Sequence, residues 1–152
     1  MSKIKKFLVI LLVAFIVIQF FRPTRNEGIA EGENSIAAPA NVKTILQTSC
    51  YDCHSNHTVY PWYTNVQPVG WWLANHVNEG KREINFSEFN TYKLKRKIRK
   101  MKEIREQLEE DEMPLSSYTL IHGYAKLSAE QKDLVLKWAD STKNFLADTV
   151  KK

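Results

Sequence analysis

From Phe7 to Phe21 every position except Gln19 is apolar. A buried helix of a globular domain carries a polar face, and this stretch has none. It is shorter than the ~20 residues a membrane span needs, but Ile4 and the stems of Lys5, Lys6 and Arg22 extend it. The pattern predicts an N-terminal transmembrane helix in residues 1–21. Residues 22–40, RPTRNEGIAEGENSIAAPA, show no sustained apolar period and read as a linker. A short helix is predicted from about Asn41, with Val42, Ile45 and Leu46 on one face. The middle of the chain is dense in aromatics and is broken by Pro61, Pro68 and Gly70. Within it, GWWLANHVNEG reads as a short helix that Gly80 stops. A long helix is predicted from about Thr91 to Glu112, capped by Asn90, with Leu94, Ile98, Met101, Ile104 and Leu108 as a narrow apolar stripe. MPLSSYTLIHGYAK reads as a loop. The last helix starts after Ser128, where Gln131 completes a capping box, and Leu134, Val135, Trp138 and Phe145 supply its buried face. No β-alternation and no internal repeat interrupts this series. The fold class expected is all-α: one small domain over residues 41–147, after the anchor and the linker.

The chain has 152 residues, 43% hydrophobic and 26% charged, with a formal net charge of +5. That excess is modest, and no nucleic-acid motif accompanies it, so no nucleic-acid partner is expected. The charge of the long helix is ordered. Lys93, Lys95, Arg96, Lys97, Arg99, Lys100 and Lys102 crowd its start, and Glu109, Glu110, Asp111 and Glu112 its end. This opposes the helix macrodipole, so the basic end is a candidate to meet an acidic partner or a lipid surface.

Lys3, Lys5 and Lys6 precede the apolar run, and Arg22 and Arg25 follow it. The balance favours a cytoplasmic N-terminus. A cleaved signal peptide is the rival, but no small-x-small site sits just after Phe21, and Ala38–Ala40 lies too far along. An uncleaved single-pass anchor in the inner membrane is expected, with the rest of the chain facing the periplasm.

The chain's two cysteines both fall in SCYDCHSNH. A disulfide between Cys50 and Cys53 would close a very small loop and stabilise little. A thioredoxin-like pair calls for a βαβ frame, which the helical surroundings do not provide. Zinc needs four ligands, and Cys50, Cys53, His54 and His57 alone would make a cramped site. The remaining reading is covalent haem. In C-x-x-C-H each thiol joins a haem vinyl group and the histidine becomes the proximal iron ligand. Positions i, i+3 and i+4 share one side of a helical turn, as this attachment needs.

CYDCHSNHTVYPWY, PVGWWLANHVNEGKREINFSEF and DEMPLSSYTLIHGYAKLSAEQKDLVLKWA together resemble the bacterial haem-binding domain family, membrane-anchored or exported relatives of cytochrome c. The resemblance runs from about Val42 to Ala139. It implies one covalent haem c in a small all-α domain, held by Cys50 and Cys53 with His54 on the iron. The family's richer aromatic or proline pattern after MP is replaced here by Leu115, Ser116 and Ser117.

The sixth iron ligand must come from elsewhere. His57 is too close to His54 to reach the opposite face. Met113, in the loop after the long helix, resembles the methionine of cytochromes c, with Pro114 fixing its backbone. His76 and His122 are the alternative distal ligands, and Met101 belongs to the apolar stripe. Trp62, Tyr63, Trp71 and Trp72 are expected to wall the haem pocket. Lys81 and Arg82 are candidates for haem propionates, although solvated surface describes each of them as well. The resulting expectation is a membrane-anchored monohaem c-type cytochrome passing single electrons between unidentified redox partner proteins. The alternatives are a peroxidase-like haem enzyme or a haem-based gas or redox sensor, each with an open sixth position.

Overall fold

The computed structural model describes residues 2–149. Met1, the first residue of the expected anchor, lies outside them. Helix α1 spans Lys3–Ile18, with the Ser2 hydroxyl accepting from the Lys5 amide at 3.3 Å. At ~1.5 Å per residue it is about 24 Å long, less than the ~30 Å of a hydrocarbon core. No helix among the described residues is long and apolar enough to cross a membrane. The apolar run continues to Phe21, but the helix stops at Ile18. The Gln19 side chain turns to the domain, where it exchanges hydrogen bonds with the backbone of Gln67. No residue of α1 is buried.

Residues 22–39 hold no helix, yet they are not a detached linker. They run as a strap along the domain. Thr58 donates its amide to the Asn26 carbonyl (2.9 Å) and Gly28 to that of Asn56 (2.7 Å), flanking an isolated antiparallel bridge between Glu27 and His57. Ile36 is buried in the core and its amide reaches the Phe86 carbonyl at 2.8 Å.

The helices that follow are α2 (Ala40–Ser49), the single turn α3 (Tyr51–His54), α4 (Val69–Glu83), α5 (Leu94–Glu109), α6 (Ser116–Ile121) and α7 (Ala129–Asp148). Short 3-10 turns cover Trp62–Asn65, Phe86–Thr91 and Gly123–Ala125. No strand occurs among the described residues, so the class is all-α. Helices α5 and α7 pack side by side, α2 crosses α7, and α3 lies against α4. Val42, Ile45 and Leu46 of α2 meet Met101 and Leu108 of α5 and Val135, Trp138 and Ala139 of α7 in one core. An Arg105–Asp140 ion pair ties α5 to α7 at the edge of that core.

Several expected boundaries move. Helix α5 starts at Leu94 rather than Thr91, because the Asn85 side chain caps a 3-10 turn over Phe86–Thr91 that occupies the preceding residues. Gly80 does not stop α4, which continues to Glu83. The loop after Met113 contains α6. On α7 the Ser128–Gln131 capping box is present as expected. Leu134 and Phe145, however, are exposed, and Ala139 and Leu146 pack inward instead. The ordered charges of α5 pair along its own face, Arg99 with Glu103, Lys102 with Glu106 and Arg105 with Glu109.

Candidate functional site

Helix α2 ends at Cys50, whose φ of −128° breaks the helical path before α3 restarts it. The amides of Cys53 and His54 both donate to the Cys50 carbonyl, at 3.2 and 3.0 Å. This single turn puts Cys50, Cys53 and His54 on one side. Asp52, between the cysteines, fastens it. Its carboxylate accepts from the Val59 amide (3.0 Å) and the Tyr118 hydroxyl (2.6 Å), and its carbonyl accepts from the Thr58 hydroxyl (2.6 Å). Gly80 lets α4 lie directly against the turn. A Cβ at that position would stand 2.6 Å from the Cys53 carbonyl oxygen.

His54 Nδ1 lies 2.9 Å from the Gly80 carbonyl oxygen and 3.1 Å from that of Ile84. Both neighbours can only accept, so Nδ1 carries the proton and shares it between them. Nε2 therefore keeps its lone pair, the tautomer a metal-bound histidine uses. Burial holds the His54 pKa below the usual histidine value, which favours this neutral form.

Both cysteines are free. Burial, with the Cys53 charge added, pushes the Cys50 thiol up to about 12. Burial, with the Asp52 charge added, pushes Cys53 up to about 11. A dithiol redox centre relies on a lowered thiol pKa, and these are raised. Nor do any three His, Cys, Asp or Glu side chains among the described residues converge as a metal-binding group.

The turn faces a cavity of about 500 Å³, within the ~300–1,000 Å³ typical of small-molecule and cofactor pockets. Cys50, Cys53 and His54 line it together with Ile45, Leu46, Ile84, Phe86, Ile104 and Leu108. Met113 and Pro114 also line it. A Schellman turn brings Met113 there. Asp111 takes a left-handed φ of 57°, its amide donates to Leu108 O at 3.2 Å, and the Glu112 amide donates to Gln107 O at 3.0 Å. Helix α5 therefore ends abruptly and the chain passes over the cavity.

The other sequence candidates divide. His76 lines this cavity. Its Nδ1 lies 2.9 Å from the Trp72 carbonyl oxygen and its ring leans on Trp72, with ring centroids 4.2 Å apart. Tyr63, Trp72 and His122 line a smaller cavity of about 330 Å³ that shares Cys53, His76, Leu115 and Tyr118 with the large one. His122 is not brought to the large cavity. Both its nitrogens are engaged, Nε2 with Tyr63 Oη at 2.6 Å and Nδ1 with Tyr124 Oη at 3.0 Å, and its ring stacks on Tyr118. Trp62 and Trp71 line neither cavity, and Trp62 is 80% exposed. Trp62 opens the 3-10 turn after Pro61, and Trp71, on the first turn of α4, points its indole to the Phe21 carbonyl. Lys81 donates to Asn26 of the strap (2.7 Å), and neither it nor Arg82 lines the cavity.

Sequence reasoning missed Lys100. It lies in a run of charges that reads as solvated, yet its side chain is only 7% exposed and it is the one Lys or Arg lining the cavity among the described residues. Glu83 (3.1 Å) and Glu103 (2.5 Å) pair with it. It also missed Tyr118, which belongs to the cavity wall. Tyr118 falls in MPLSSYTLIHGYAK, which reads as a loop.

The profile of the haem-binding domain family matches residues 13–141. The chain belongs to that family. No curated protein and no solved structure matches it. The residues present fit the group the family takes: an apolar cavity, a histidine with its outer nitrogen already committed, two neutral thiols on the same turn, and a thioether on the lining.

Proposed function

We propose that the chain is a membrane-anchored monohaem c-type cytochrome that passes single electrons on the periplasmic side. The observation that carries this reading is the bifurcated Nδ1–H of His54 between the Gly80 and Ile84 carbonyls, on a turn whose two thiols line the same cavity. Cys50 and Cys53 would hold the haem through thioethers, and His54 Nε2 and Met113 would ligate the iron. The haem, when bound, supplies an iron that gains and loses one electron.

The remaining work belongs to the chain. The Gly80 and Ile84 carbonyls fix the imidazole and raise its donor strength. Ile45, Leu46, Phe86, Ile104 and Leu108 exclude water. Asp52 and Tyr118 keep the attachment turn in register. The Schellman turn at Asp111 holds Met113 over the cavity. With His54 and Met113 both given to the iron, the chain would offer no open position for a substrate, which favours an electron carrier over a peroxidase or a gas sensor. The apolar, solvent-facing side chains of α1 support insertion into lipid, with Gln19–Phe21 completing the passage at the surface. The partners would be redox proteins.

Optical and EPR spectra of the purified holoprotein test this function. A low-spin, six-coordinate iron with histidine and methionine ligands is expected. A five-coordinate iron that binds carbon monoxide without displacing a protein ligand would transfer the reading to an enzyme or sensor.

A further inference from the structure

Three of the four tryptophans lie between Trp62 and Trp72, and all three reach the surface: Trp62 by 80%, Trp71 by 38% and Trp72, which also lines the smaller cavity, by 48%. Trp138 alone is in the core. Val66 and Val69, in the same stretch, are exposed as well. Clustered exposed apolar groups of this kind mark a surface that meets something else.

This stretch is also where α1 joins the domain. Gln19 Nε2 donates to the Gln67 carbonyl (3.2 Å), and Gln19 Oε1 accepts from the Gln67 amide (2.8 Å). Trp71 Nε1 donates to the Phe21 carbonyl at 2.6 Å. Arg25 donates to the Asn65 side chain at 2.7 Å, and its guanidinium lies 5.0 Å from the centre of the Tyr60 ring. The end of an apolar helix is thus fastened at three points to an aromatic surface, with the cations Arg22 and Arg25 beside the junction.

We propose that the Trp62–Trp72 surface lies in the headgroup layer of an anionic phospholipid bilayer and holds the haem domain flat against the membrane. The proposal rests on the reading of α1 as the anchor and goes beyond it, because an anchor by itself leaves the domain free to tumble. Indole is apolar with one donor, which suits it to the boundary between hydrocarbon and water. Arginine pairs with phosphate there. Helix α1 is too short to carry its own C-terminus beyond the interface, so Gln19–Phe21, and the residues bonded to them, stay at that depth.

The test uses the full-length holoprotein in vesicles of phosphatidylcholine and phosphatidylglycerol that include a phospholipid with a photoreactive diazirine on its headgroup. Adducts are mapped by peptide mass spectrometry. Adducts are expected within residues 62–72 as well as on α1, and Trp62→Ser should lower the ratio of the first to the second several-fold. Adducts on α1 with none in 62–72, or a ratio unmoved by Trp62→Ser, would overturn the docked surface and leave the anchor standing. Adducts on neither would overturn both.

Discussion

His54 Nδ1 stands 2.9 Å from the carbonyl oxygen of Gly80, a residue of the neighbouring helix α4. The same glycine gives its missing Cβ to the Cys53 carbonyl, which comes too close for any other residue. One position thus orients the imidazole with its backbone and admits the Cys50–His54 turn with its bare Cα.

Gly80→Ala should therefore damage the site although Ala favours a helix. The added methyl meets backbone 2.6 Å away, and either α3 or α4 must move. A loss of about 1–3 kcal/mol is expected, with reduced haem loading. Thermal melts and haem-stained gels check it, with Gly123→Ala as control, since nothing lies within 4 Å of a Cβ there.

Met113→Ala should open the sixth position, admit carbon monoxide and lower the reduction potential. Met113→His should restore six coordination at a potential below that of the wild type, because imidazole favours oxidised iron more than a thioether does. Redox titration with optical detection reads both. If Met113→Ala changed nothing, His76, on the same cavity, would become the ligand to test.

Asp111 occupies a left-handed conformation, which β-branched residues tolerate poorly. Asp111→Val should cost about 1–2 kcal/mol and loosen the Met113 loop, seen as a weaker methionine-to-iron charge-transfer band. Asp111→Gly should keep the turn, and its stability should fall within about 1 kcal/mol of the wild type.

Lys100 is buried between two carboxylates, and removing the partners should hurt more than removing the lysine. Lys100→Met leaves Glu83 and Glu103 in reach of water and should change stability by less than about 1 kcal/mol. Glu83→Gln with Glu103→Gln strands a buried ammonium and should cost about 2–3 kcal/mol. The hydrogen bond and charge of Lys100 hold the Glu83 carboxyl below its usual range. A lowered carboxylate pKa contributes stability that is complete above the unfolded value of ~4.3 and is lost as pH falls through the folded one. Denaturation midpoints of wild type and Glu83→Gln should therefore converge on acidification.

The Cys50–His54 turn, the all-α class and the α7 capping box were legible because each is written in residues close together in the chain. What escaped the sequence depends on contacts across it. Gly80 resembled a helix stop, since a glycine chosen for close approach to Cys53 looks the same as one chosen for a cap. Ile36 looked like linker because one apolar residue has no period, yet Phe86 gives it a partner. Tyr118 and Asp52 are bonded across 66 residues of chain separation. Lys100 was hidden in a run of like charges, and only its place on the cavity wall, paired with Glu83 of α4, shows that it is the enclosed one. The aromatic richness of residues 60–72 was evident, but composition alone did not tell that Tyr63 and Trp72 face a cavity while Trp62 faces outward.

The most direct test of the central claim is intact and peptide mass spectrometry of the denatured holoprotein. One haem should remain on the polypeptide, carried by the peptide that contains Cys50, Cys53 and His54, and Cys50→Ala with Cys53→Ala should abolish that mass. Unmodified thiols on a protein whose haem leaves on denaturation, or zinc in place of iron, would contradict the account.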